Sequence, residues 1–423
     1  MKISIIGTTM PNMAASMEDL TKLSGHAAGV CYMPDTFGAL MSEPKEKTMR
    51  RANGTKASGH HSVFDHAFIN LSLENIPKGL AMVLNNEQFY NTSEKSARYT
   101  KMVLKEGEQK LFDKWLDTYK NLIRDEYQAK YPNIFTEKKI EKLAQENARY
   151  LISVFTPTTM VYTVSLRQLN YLCAMMQREI DNPSNDFYKA LVPAMSDFVT
   201  SIQNGLKTEV WEQKLSQDDD PVHRRILFDY IKDGNVNRVY YDKDLAEGVN
   251  AKNAHLSLIK RSIAPETYFG DVYCTSYKGS LAQLAQAQRH RTISYDMTLL
   301  DTPEFYVPKI IRMSDELTRE WKNDCESQAS VFPQGLLVNI NEYGSLDKFI
   351  LKMKERKCAA AQLEIDNQTN DTLNRYVAEL KRKGHPQAEM LEKYTHGSRC
   401  TFPDYKCSKP CGFKEGVTGE RKI

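Results

Sequence analysis

Three short segments of this 423-residue sequence concentrate side chains that could do chemistry. The first segment, Ser58–Ala67, carries imidazole and carboxylate groups at high density: His60, His61, Asp65 and His66. Such groups are metal ligands in some proteins and ordinary polar loops in others, and this spacing does not place the four on one helical face. Gly59 predicts a tight turn that presents one side chain to a site. Both interpretations stay open from the residues alone.

The second segment, Asn91–Tyr99, follows an apolar stretch and combines hydroxyl, carboxylate and guanidinium groups. Arg98 offers planar bidentate donors to a phosphate, Ser96 offers a hydroxyl, and Glu94 can accept from a ligand N–H or sugar hydroxyl. The segment is therefore a candidate loop for a phosphate-bearing ligand. The alternative is a solvated loop.

The third segment, Gln286–Arg291, places two arginines and a histidine at the end of an apolar helical pattern. Positive charge concentrated there would suit a pyrophosphate or a flavin ring, and the alternative is a surface basic patch. A further set lies near the C-terminus: His396, Cys400, Cys407 and Cys411. One histidine and three cysteines suit tetrahedral zinc, but their spacing matches no strong zinc pattern, so we assign no metal and keep free thiols as the alternative.

The elements that must position these segments follow from the apolar periodicity. We predict a strand at Lys2–Ile6, a helix at Asp19–Val30, a strand at His66–Leu73 and long helices to about residue 205. The acidic, proline-containing run Ser216–Val222 is the best linker candidate, because charge clustering and proline disfavour a helix. Arg238–Asp242 then restarts a strand.

The chain repeats one order of elements. Ile76–Lys101 and Gly279–Thr298 each read as an apolar helix that leads into a polar loop. Ser165–Ile180 and Gly344–Ile365 each read as a long helix, and both end in Gln, one residue, Glu and Ile. We interpret the matched order as a tandem duplication. The alternative is that any two amphipathic helices look alike.

Composition sets the class of protein. Fifty-seven basic against 54 acidic side chains leave a net charge of +3, too small for nucleic-acid or membrane binding through bulk charge. There is no uncharged run long enough to span a bilayer, and the eight cysteines suit a reducing compartment, so we expect a cytoplasmic protein. The predicted domains are residues 1–215 and 222–390, followed by an irregular cysteine-containing tail at 391–423.

Together the motifs resemble the flavin-dependent thymidylate synthase (ThyX) family. The residues that carry the resemblance are Gly59-His60-x-Ser62-x-Phe64-Asp65-His66, Ser96-x-Arg98-Tyr99, Arg289-His290-Arg291 and Arg356-x-Cys358-x-x-Ala361-Gln362-x-Glu364-Ile365. The resemblance implies an α+β fold. In it, two ThyX-like units follow in tandem, each with a small mixed or antiparallel sheet and long helices.

The two halves depart from the family pattern in complementary ways. The first half has Asn86-Glu87-Gln88 in the Arg-His-Arg slot, and the second half has Leu299 and Asp301 in the slots for Ser and Arg. Because family enzymes are homotetramers with shared sites, the resemblance implies sites assembled from complementary halves. We therefore expect self-association into a dimer that forms a pseudo-tetramer with two working sites.

The resemblance also implies a function: FAD-dependent transfer of a one-carbon unit from methylenetetrahydrofolate to C5 of dUMP, with NADPH as reductant. By the same resemblance the substrate-binding residues are Gln286, Glu94, Ser96, Arg98, Arg149 and Arg356. The cofactor-binding residues are Arg289, His290, Arg291, Ser294, His60, Ser62 and Arg167. No residue is assigned as catalytic, because the flavin mediates the chemistry.

Two alternatives stay open for the function. Asp296 in the second half and Ser93 in the first stand where the family has an asparagine, and such a change near a pyrimidine could favour dCMP or hydroxymethyl transfer. The incomplete motif in each half also fits a non-catalytic relative that binds nucleotide or flavin.

Overall fold

The computed structural model describes residues 1–9, 16–87, 89–98, 100–207, 238–240, 272–291, 293–385, 387–407 and 421–423. The predicted linker Ser216–Val222 and Cys411 lie outside these residues, as does the end of the predicted strand Arg238–Asp242. The chain forms two compact units. The first unit consists of Met1–Ser96, Thr100–Val103 and Val154–His223. The second unit consists of Ala97–Tyr99, Leu104–Ser153 and Arg224–Ile423.

Eight strands and thirteen α-helices are described. The strands are β1 (Lys2–Thr8), β2 (Phe68–Pro77), β3 (Tyr90–Glu94), β4 (Pro157–Ser165), β5 (Arg238–Tyr240), β6 (Val272–Ser280), β7 (Ser294–Leu299) and β8 (Leu337–Ser345). The first eight helices are α1 (Met17–Tyr32), α2 (Phe37–Met41), α3 (Lys45–Ala57), α4 (Lys78–Leu84), α5 (Glu106–Ile123), α6 (Glu137–Ala148), α7 (Leu166–Asp181) and α8 (Asp186–Gly205). The remaining helices are α9 (Leu281–Ala287), α10 (Asp315–Ser327), α11 (Leu346–Arg356), α12 (Leu363–Arg382) and α13 (Ala388–Glu392).

The first unit is built on a four-stranded antiparallel sheet in the order β1-β2-β4-β3. Alternation along β2 buries Ile69, Leu71 and Leu73 completely, which is the pattern of a strand with one face on the core. Helix α1 begins with a capping box in which Ser16 and Asp19 satisfy each other's backbone N–H groups. The predicted strand Lys2–Ile6 and helix Asp19–Val30 are therefore present and slightly longer, whereas the predicted strand His66–Leu73 is shifted to Phe68–Pro77.

The second unit contains a sheet with the same topology, in the order β5-β6-β8-β7. Each sheet pairs its second and fourth strands along nearly their whole length, from Phe68↔Ser165 to Pro77↔Pro157 in one and from Val272↔Ser345 to Ser280↔Leu337 in the other. A seven-residue helix follows β2 and β6 (α4 and α9), and a longer helix follows β4 and β8 (α7 and α11). The predicted α+β class with two antiparallel sheets and long helices is confirmed.

One segment from the first half of the sequence belongs to the second compact unit. Leu104–Ser153, with α5 and α6, belongs to the unit that holds the second sheet. There the indole of Trp115 meets that of Trp321 edge to face at 4.8 Å, and its Nε1 donates to Asp324 at 2.8 Å. Buried aromatic pairs of this kind are strong packing contacts. Residues from both sequence halves therefore build the second unit.

Two predicted elements differ in the structure. The polar run after α4, which the sequence predicts as a loop, is partly a strand, because β3 pairs with β4. The late pattern Gly344–Ile365 is not one helix: α11 ends at Arg356 and α12 begins at Leu363. The shared Gln-x-Glu-Ile sequence therefore does not occupy equivalent positions in the two halves. It lies at the C-terminal end of α7 in the first half and at the N-terminus of α12 in the second.

The described parts of the C-terminal region are largely irregular but packed. Tyr394 and Phe402 belong to a buried cluster with Phe349 and Tyr376 of the second unit. At the end of the chain, the Lys422 carbonyl accepts from the Ile310 N–H at 3.0 Å, and the Ile423 side chain is buried. Within the described residues, no helix is long and apolar enough to cross a membrane.

Candidate functional site

The second unit brings together four of the residues assigned to substrate: Arg98, Arg149, Gln286 and Arg356. Arg98 precedes α5 in the chain, and Arg149 follows α6. Gln286 lies in the last turn of α9, and Arg356 is the last residue of α11. Two sequence halves thus supply one cluster, which we call the arginine cluster: Arg98, Arg149, Gln286, Arg356 and Gln362.

Gln362 is the centre of this cluster. Its side-chain oxygen accepts from Arg149 Nη2 and, at 2.5 Å, from Gln286 Nε2. Its amide nitrogen donates to the Glu146 carbonyl at 3.2 Å. The side chain can make these contacts because the helical structure is interrupted between α11 and α12, which places Gln362 at the N-cap of α12.

Arg98 is fixed at the edge of the cluster. Its guanidinium forms an ion pair of 2.7 Å with the buried Glu146 carboxylate and donates to the Ala360 carbonyl at 2.6 Å. A charge-assisted contact of this kind holds a guanidinium in a defined orientation. Arg98 is therefore positioned before any ligand arrives.

Arg149 is a buried cation with a neutral partner. It is 6% exposed, and burial together with nearby Arg98 lowers the pKa of its guanidinium, with partial compensation from Tyr150 and the carboxylates of Glu146 and Glu364. Within the described residues, Arg149 Nε and the buried Gln286 Oε1 have no hydrogen-bond partner. Unsatisfied buried polar atoms are costly, so their presence in one cluster points to a ligand with both anionic and N–H groups.

His290 and Arg356 join this cluster to the Arg-His-Arg run. Arg356 donates through Nε to His290 Nε2 at 2.8 Å and through Nη2 to the Gln286 carbonyl at 3.1 Å. His290 Nε2 must then be an acceptor, so the ring proton belongs on Nδ1. Burial, with the charges of Arg356 and Lys352, lowers the pKa of His290 to about 2. The imidazole is therefore neutral near pH 7, with a defined tautomer.

A buried polar network lies behind His290. Lys352 forms an ion pair with Glu342, and that carboxylate also accepts from the hydroxyls of Tyr273 at 2.5 Å and Tyr277 at 2.8 Å. Burial, followed by the Glu342 charge, raises the pKa of both tyrosines well above its usual range. These satisfied hydrogen bonds rigidify β6, β8 and α11, the elements beside the cluster.

The predicted cofactor residues of the second unit lie on one turn and strand. Arg289 is exposed and forms no ion pair with any described residue, and Arg291 is half-buried. Ser294 begins β7. The run follows α9 just as Asn86-Glu87-Gln88 follows α4 in the first unit. Arg289 and Arg291 therefore supply positive charge beside the neutral His290.

The remaining predicted site residues belong to the first unit. The Glu94 carboxylate accepts from Lys78 Nζ at 2.6 Å and from Asn85 Nδ2 at 3.2 Å, and the Ser96 carbonyl accepts from Thr100. His60 and Ser62 are exposed. Arg167 forms an ion pair of 3.3 Å with Asp65, which also accepts from Ser165. Their roles as ligands stay predictions.

Metal-binding groups are sparse among the residues that the structure describes. No group of three or more His, Cys, Asp or Glu side chains there could hold a metal ion. The histidines of Ser58–Ala67 thus form no such group. The weak zinc candidate includes Cys411, which lies outside the described residues, so that set stays a prediction. The seven described cysteines are free thiols.

Sequence reasoning assigned no site role to three residues that belong to the arginine cluster or support it: Gln362, Glu146 and Tyr150. Gln362 belongs to the late Ala-Gln-x-Glu-Ile motif, and its place in that motif is the sequence signal that could have identified it as a site residue. Glu146 carries no signal beyond its helical spacing, because only packing brings its carboxylate to Arg98. Tyr150 is a third such residue: its hydroxyl donates to Glu364 at 2.8 Å, which ties the residue after Arg149 to α12.

Part of the chain resembles known proteins. Residues 12–192 match the family model Thy1, described as thymidylate synthase complementing protein. Over that segment the chain is similar to the flavin-dependent thymidylate synthase (ThyX) family. A flavin-dependent thymidylate synthase of Clostridium tetani is 24% identical over 193 residues, which are 39% of this chain and 75% of that protein.

Two solved structures are also among the matches, at lower identity. ThyX from Helicobacter pylori, crystallised with FAD and dUMP, is 15% identical, covers 52% of this chain and 98% of its own, and has a TM-score of 0.30. PolB, a UMP/dUMP methylase from Streptomyces cacaoi bound with 5-Br dUMP, is 15% identical, covers 41% and 76%, and has a TM-score of 0.26. The predicted resemblance to the ThyX family is confirmed over residues 12–192 by the family match and the curated relative.

The family implies a flavin cofactor, and the residues present fit one. Arg289 and Arg291 are cations suited to a pyrophosphate, and Arg289 is not committed to a carboxylate among the described residues. His290 has a fixed Nδ1–H donor because Arg356 occupies its Nε2. This donor set accepts an anionic, hydrogen-bonding cofactor without rearrangement of its ion pairs.

Proposed function

We propose that the chain is a flavin-dependent methyltransferase that transfers a one-carbon unit from methylenetetrahydrofolate to C5 of a pyrimidine deoxynucleotide, with dUMP as substrate and dTMP as product. The match of residues 12–192 to the ThyX family supports the reaction class. The observation that carries the substrate assignment is the arginine cluster, in which a buried guanidinium has only a neutral partner.

In this proposal the arginines hold the nucleotide phosphate. Arg98, Arg149 and Arg356 supply bidentate donors, and a dianionic phosphate would offset the cost of burying Arg149. Gln286 and Gln362 orient the nucleotide, because Gln286 Oε1 is a buried acceptor that a pyrimidine or sugar donor can satisfy. Glu94 and Ser96 are proposed as further nucleotide ligands.

The proposed cofactor is FAD, held by Arg289, His290 and Arg291, with Ser294, His60, Ser62 and Arg167 as supporting residues. When bound, the flavin supplies the redox chemistry, with NADPH as reductant. The protein positions the reactants and keeps His290 neutral as a hydrogen-bond donor. No cysteine acts as nucleophile in the proposal, and burial raises the pKa of the Cys274 thiol to about 12.

Turnover measured on the full chain tests this function. The purified protein is incubated with FAD, NADPH and methylenetetrahydrofolate, and tritium release from C5-labelled dUMP is compared with release from C5-labelled dCMP. We expect release from dUMP, together with a yellow protein whose flavin absorbance bleaches with NADPH. Release from dCMP alone would replace the substrate in the proposal. A flavin-bound protein that releases tritium from neither nucleotide would contradict the catalytic assignment.

We further propose that two chains associate into a pseudo-tetramer of four ThyX-like units. The equal strand order of the two sheets supports this, since each chain then supplies two similar units to the assembly. Light scattering coupled to size exclusion should give a mass near twice 48.5 kDa in the presence of FAD. A strict monomer under those conditions would contradict the proposed assembly.

A further inference from the structure

The second unit contains a cavity that is separate from the arginine cluster. Its volume is about 750 Å³, and none of the cluster residues lines it. Cavities of roughly 300–1,000 Å³ are the size class in which proteins bind small organic ligands. The walls come from β6, α9, α12 and the chain around Tyr306.

The cavity wall carries an excess of positive charge. Four cations line it: Lys278, Lys309, Arg312 and Lys422. Lys278 and Lys422 have carboxylate partners in Glu304 at 2.7 Å and Glu126 at 2.8 Å. Arg312 has none among the residues that the structure describes: its Nε donates to the Val307 carbonyl at 2.8 Å, and its guanidinium lies 5.8 Å from the Tyr306 ring.

The acidic groups of the wall are already engaged. Glu364 accepts from the Ser280 N–H at 2.8 Å, from the Ser280 hydroxyl at 2.6 Å and from the Tyr150 hydroxyl at 2.8 Å. Asp371 forms an ion pair of 3.0 Å with Arg375. The Arg312 guanidinium therefore remains to meet a negative charge that comes from outside the wall.

A buried hydrogen-bond donor in the cavity wall also indicates a ligand. Gln283 lines the cavity and is 2% exposed, and its Nε2 has no hydrogen-bond partner among the described residues. An unsatisfied buried N–H group is energetically costly, so native proteins rarely keep one without a reason. A ligand oxygen in the cavity would remove that cost.

We propose that this cavity is a second ligand site, for a small organic anion. Its oxyanion would meet Arg312 and Lys309, and a carbonyl or second oxyanion oxygen would accept from Gln283 Nε2. The apolar part of such a ligand would rest on Tyr306, Met313 and Leu337, which also line the cavity. The site is independent of the proposed methyl transfer, because it shares no ligand residue with the arginine cluster.

Calorimetric titration of the full chain tests the site with two probes, inorganic phosphate and glutarate. We expect at least one probe to bind, and the tighter one shows whether a phosphate or a carboxylate is preferred. Arg312→Gln should weaken that binding about tenfold, and Gln283→Met about fivefold, because each removes one ligand contact. Arg312 is exposed, so its replacement should leave the fold intact.

Two controls separate this site from other cations. Arg319→Gln makes the same charge change on an exposed residue of α10 that does not line the cavity, and it should change affinity less than about twofold. Arg149→Gln should also leave this binding event in place. The proposal is overturned if neither probe binds, if Arg312→Gln and Gln283→Met leave the probe affinity unchanged, or if only Arg149→Gln abolishes binding. Absence of thymidylate turnover would not affect any of these outcomes.

Discussion

Arg149 shows how one residue can indicate a ligand. A guanidinium stays charged in proteins, so its burial must be offset by hydrogen bonds and negative charge. Here the side chain is 6% exposed, its bonded partner is an amide oxygen, and its Nε is unsatisfied among the described residues. The neighbouring Glu146 carboxylate is engaged with Arg98 instead. A phosphate dianion would complete this arrangement.

We predict that Arg149→Gln weakens dUMP binding by about 10- to 100-fold, the range expected when a charge-assisted hydrogen bond is lost. Calorimetry with dUMP measures it, and Arg319→Gln on the exposed face of α10 is the matched control. The thermal midpoint of Arg149→Gln should not fall much, because the substitution removes a buried charge. Unchanged dUMP affinity would contradict the role proposed for this residue.

His290 should make the protein sensitive to acid. Its pKa is about 2 when folded, because of burial and the charges of Arg356 and Lys352, and near 6.5 when unfolded. Between these values the unfolded chain binds the extra proton, so stability falls as pH drops below 6.5. We predict that His290 alone contributes a loss of about 2 kcal/mol between pH 7 and pH 5.

Urea unfolding of the native chain and of His290→Gln at pH 7 and pH 5 measures this contribution. The native chain should lose about 2 kcal/mol more than the variant over that interval. Equal losses in the two proteins would show that His290 is protonated in the folded state. The Arg356–His290 hydrogen bond would then need a different description.

At the scale of elements, the break between α11 and α12 makes the site. It lets Arg356 end one helix and Gln362 begin the next, so both side chains meet Gln286. Lys357 holds the break: its Nζ donates to Asn370 at 2.8 Å and to the Tyr394 carbonyl at 2.9 Å. In the first unit the equivalent helix α7 runs on to Asp181, and α8 begins at Asp186, so the interruption falls after the Gln-x-Glu-Ile motif instead of before it.

The two sheets also differ at one buried pair. Glu342 on β8 and Lys352 on α11 form an ion pair, whereas Tyr162 and Leu172 hold the corresponding places on β4 and α7. Removing one member of a buried pair leaves a charge without compensation, which costs about 3–5 kcal/mol. A pair of packed neutral residues avoids that cost.

We predict that Glu342→Gln destabilises the chain by about 3–5 kcal/mol. The double variant Glu342→Tyr with Lys352→Leu, which copies the first sheet, should recover most of that loss. Urea unfolding monitored by circular dichroism measures both. A double variant no more stable than Glu342→Gln would show that Tyr273 and Tyr277 need the carboxylate more than Lys352 does.

At the scale of the whole molecule, the arginine cluster draws on both sequence halves within one chain. Arg98 and Arg149 come from the first half, and Gln286 and Arg356 come from the second, yet all four belong to the second unit. The complementary losses in the two motifs are consistent with this arrangement, because a chain that builds one such cluster does not need both copies of each motif. Exchange of these residues between chains is not required.

We predict that inactive Arg98→Ala and Arg356→Ala chains do not restore dUMP binding or turnover when mixed. Each chain carries a defect in its own cluster, so a mixed dimer still has two incomplete clusters. Native chain diluted with Arg98→Ala is the control, and its activity should follow the native fraction. Recovery toward a quarter or more of native activity on mixing would show that the cluster residues come from different chains.

The sequence alone was enough to predict several secondary-structure elements and several candidate ligand residues. Alternation of apolar and polar residues predicts β2, and apolar periodicity predicts α4 and α9. The residue types of Arg289–Arg291 and Arg98 indicate anion binding. Sequence could reveal these features because the signals are local. The membership of Leu104–Ser153 in the second unit and the role of Gln362 were decided only by tertiary structure. The contact of Arg149 with Gln362 joins residues 213 positions apart, and no local pattern encodes which buried surfaces will pack together.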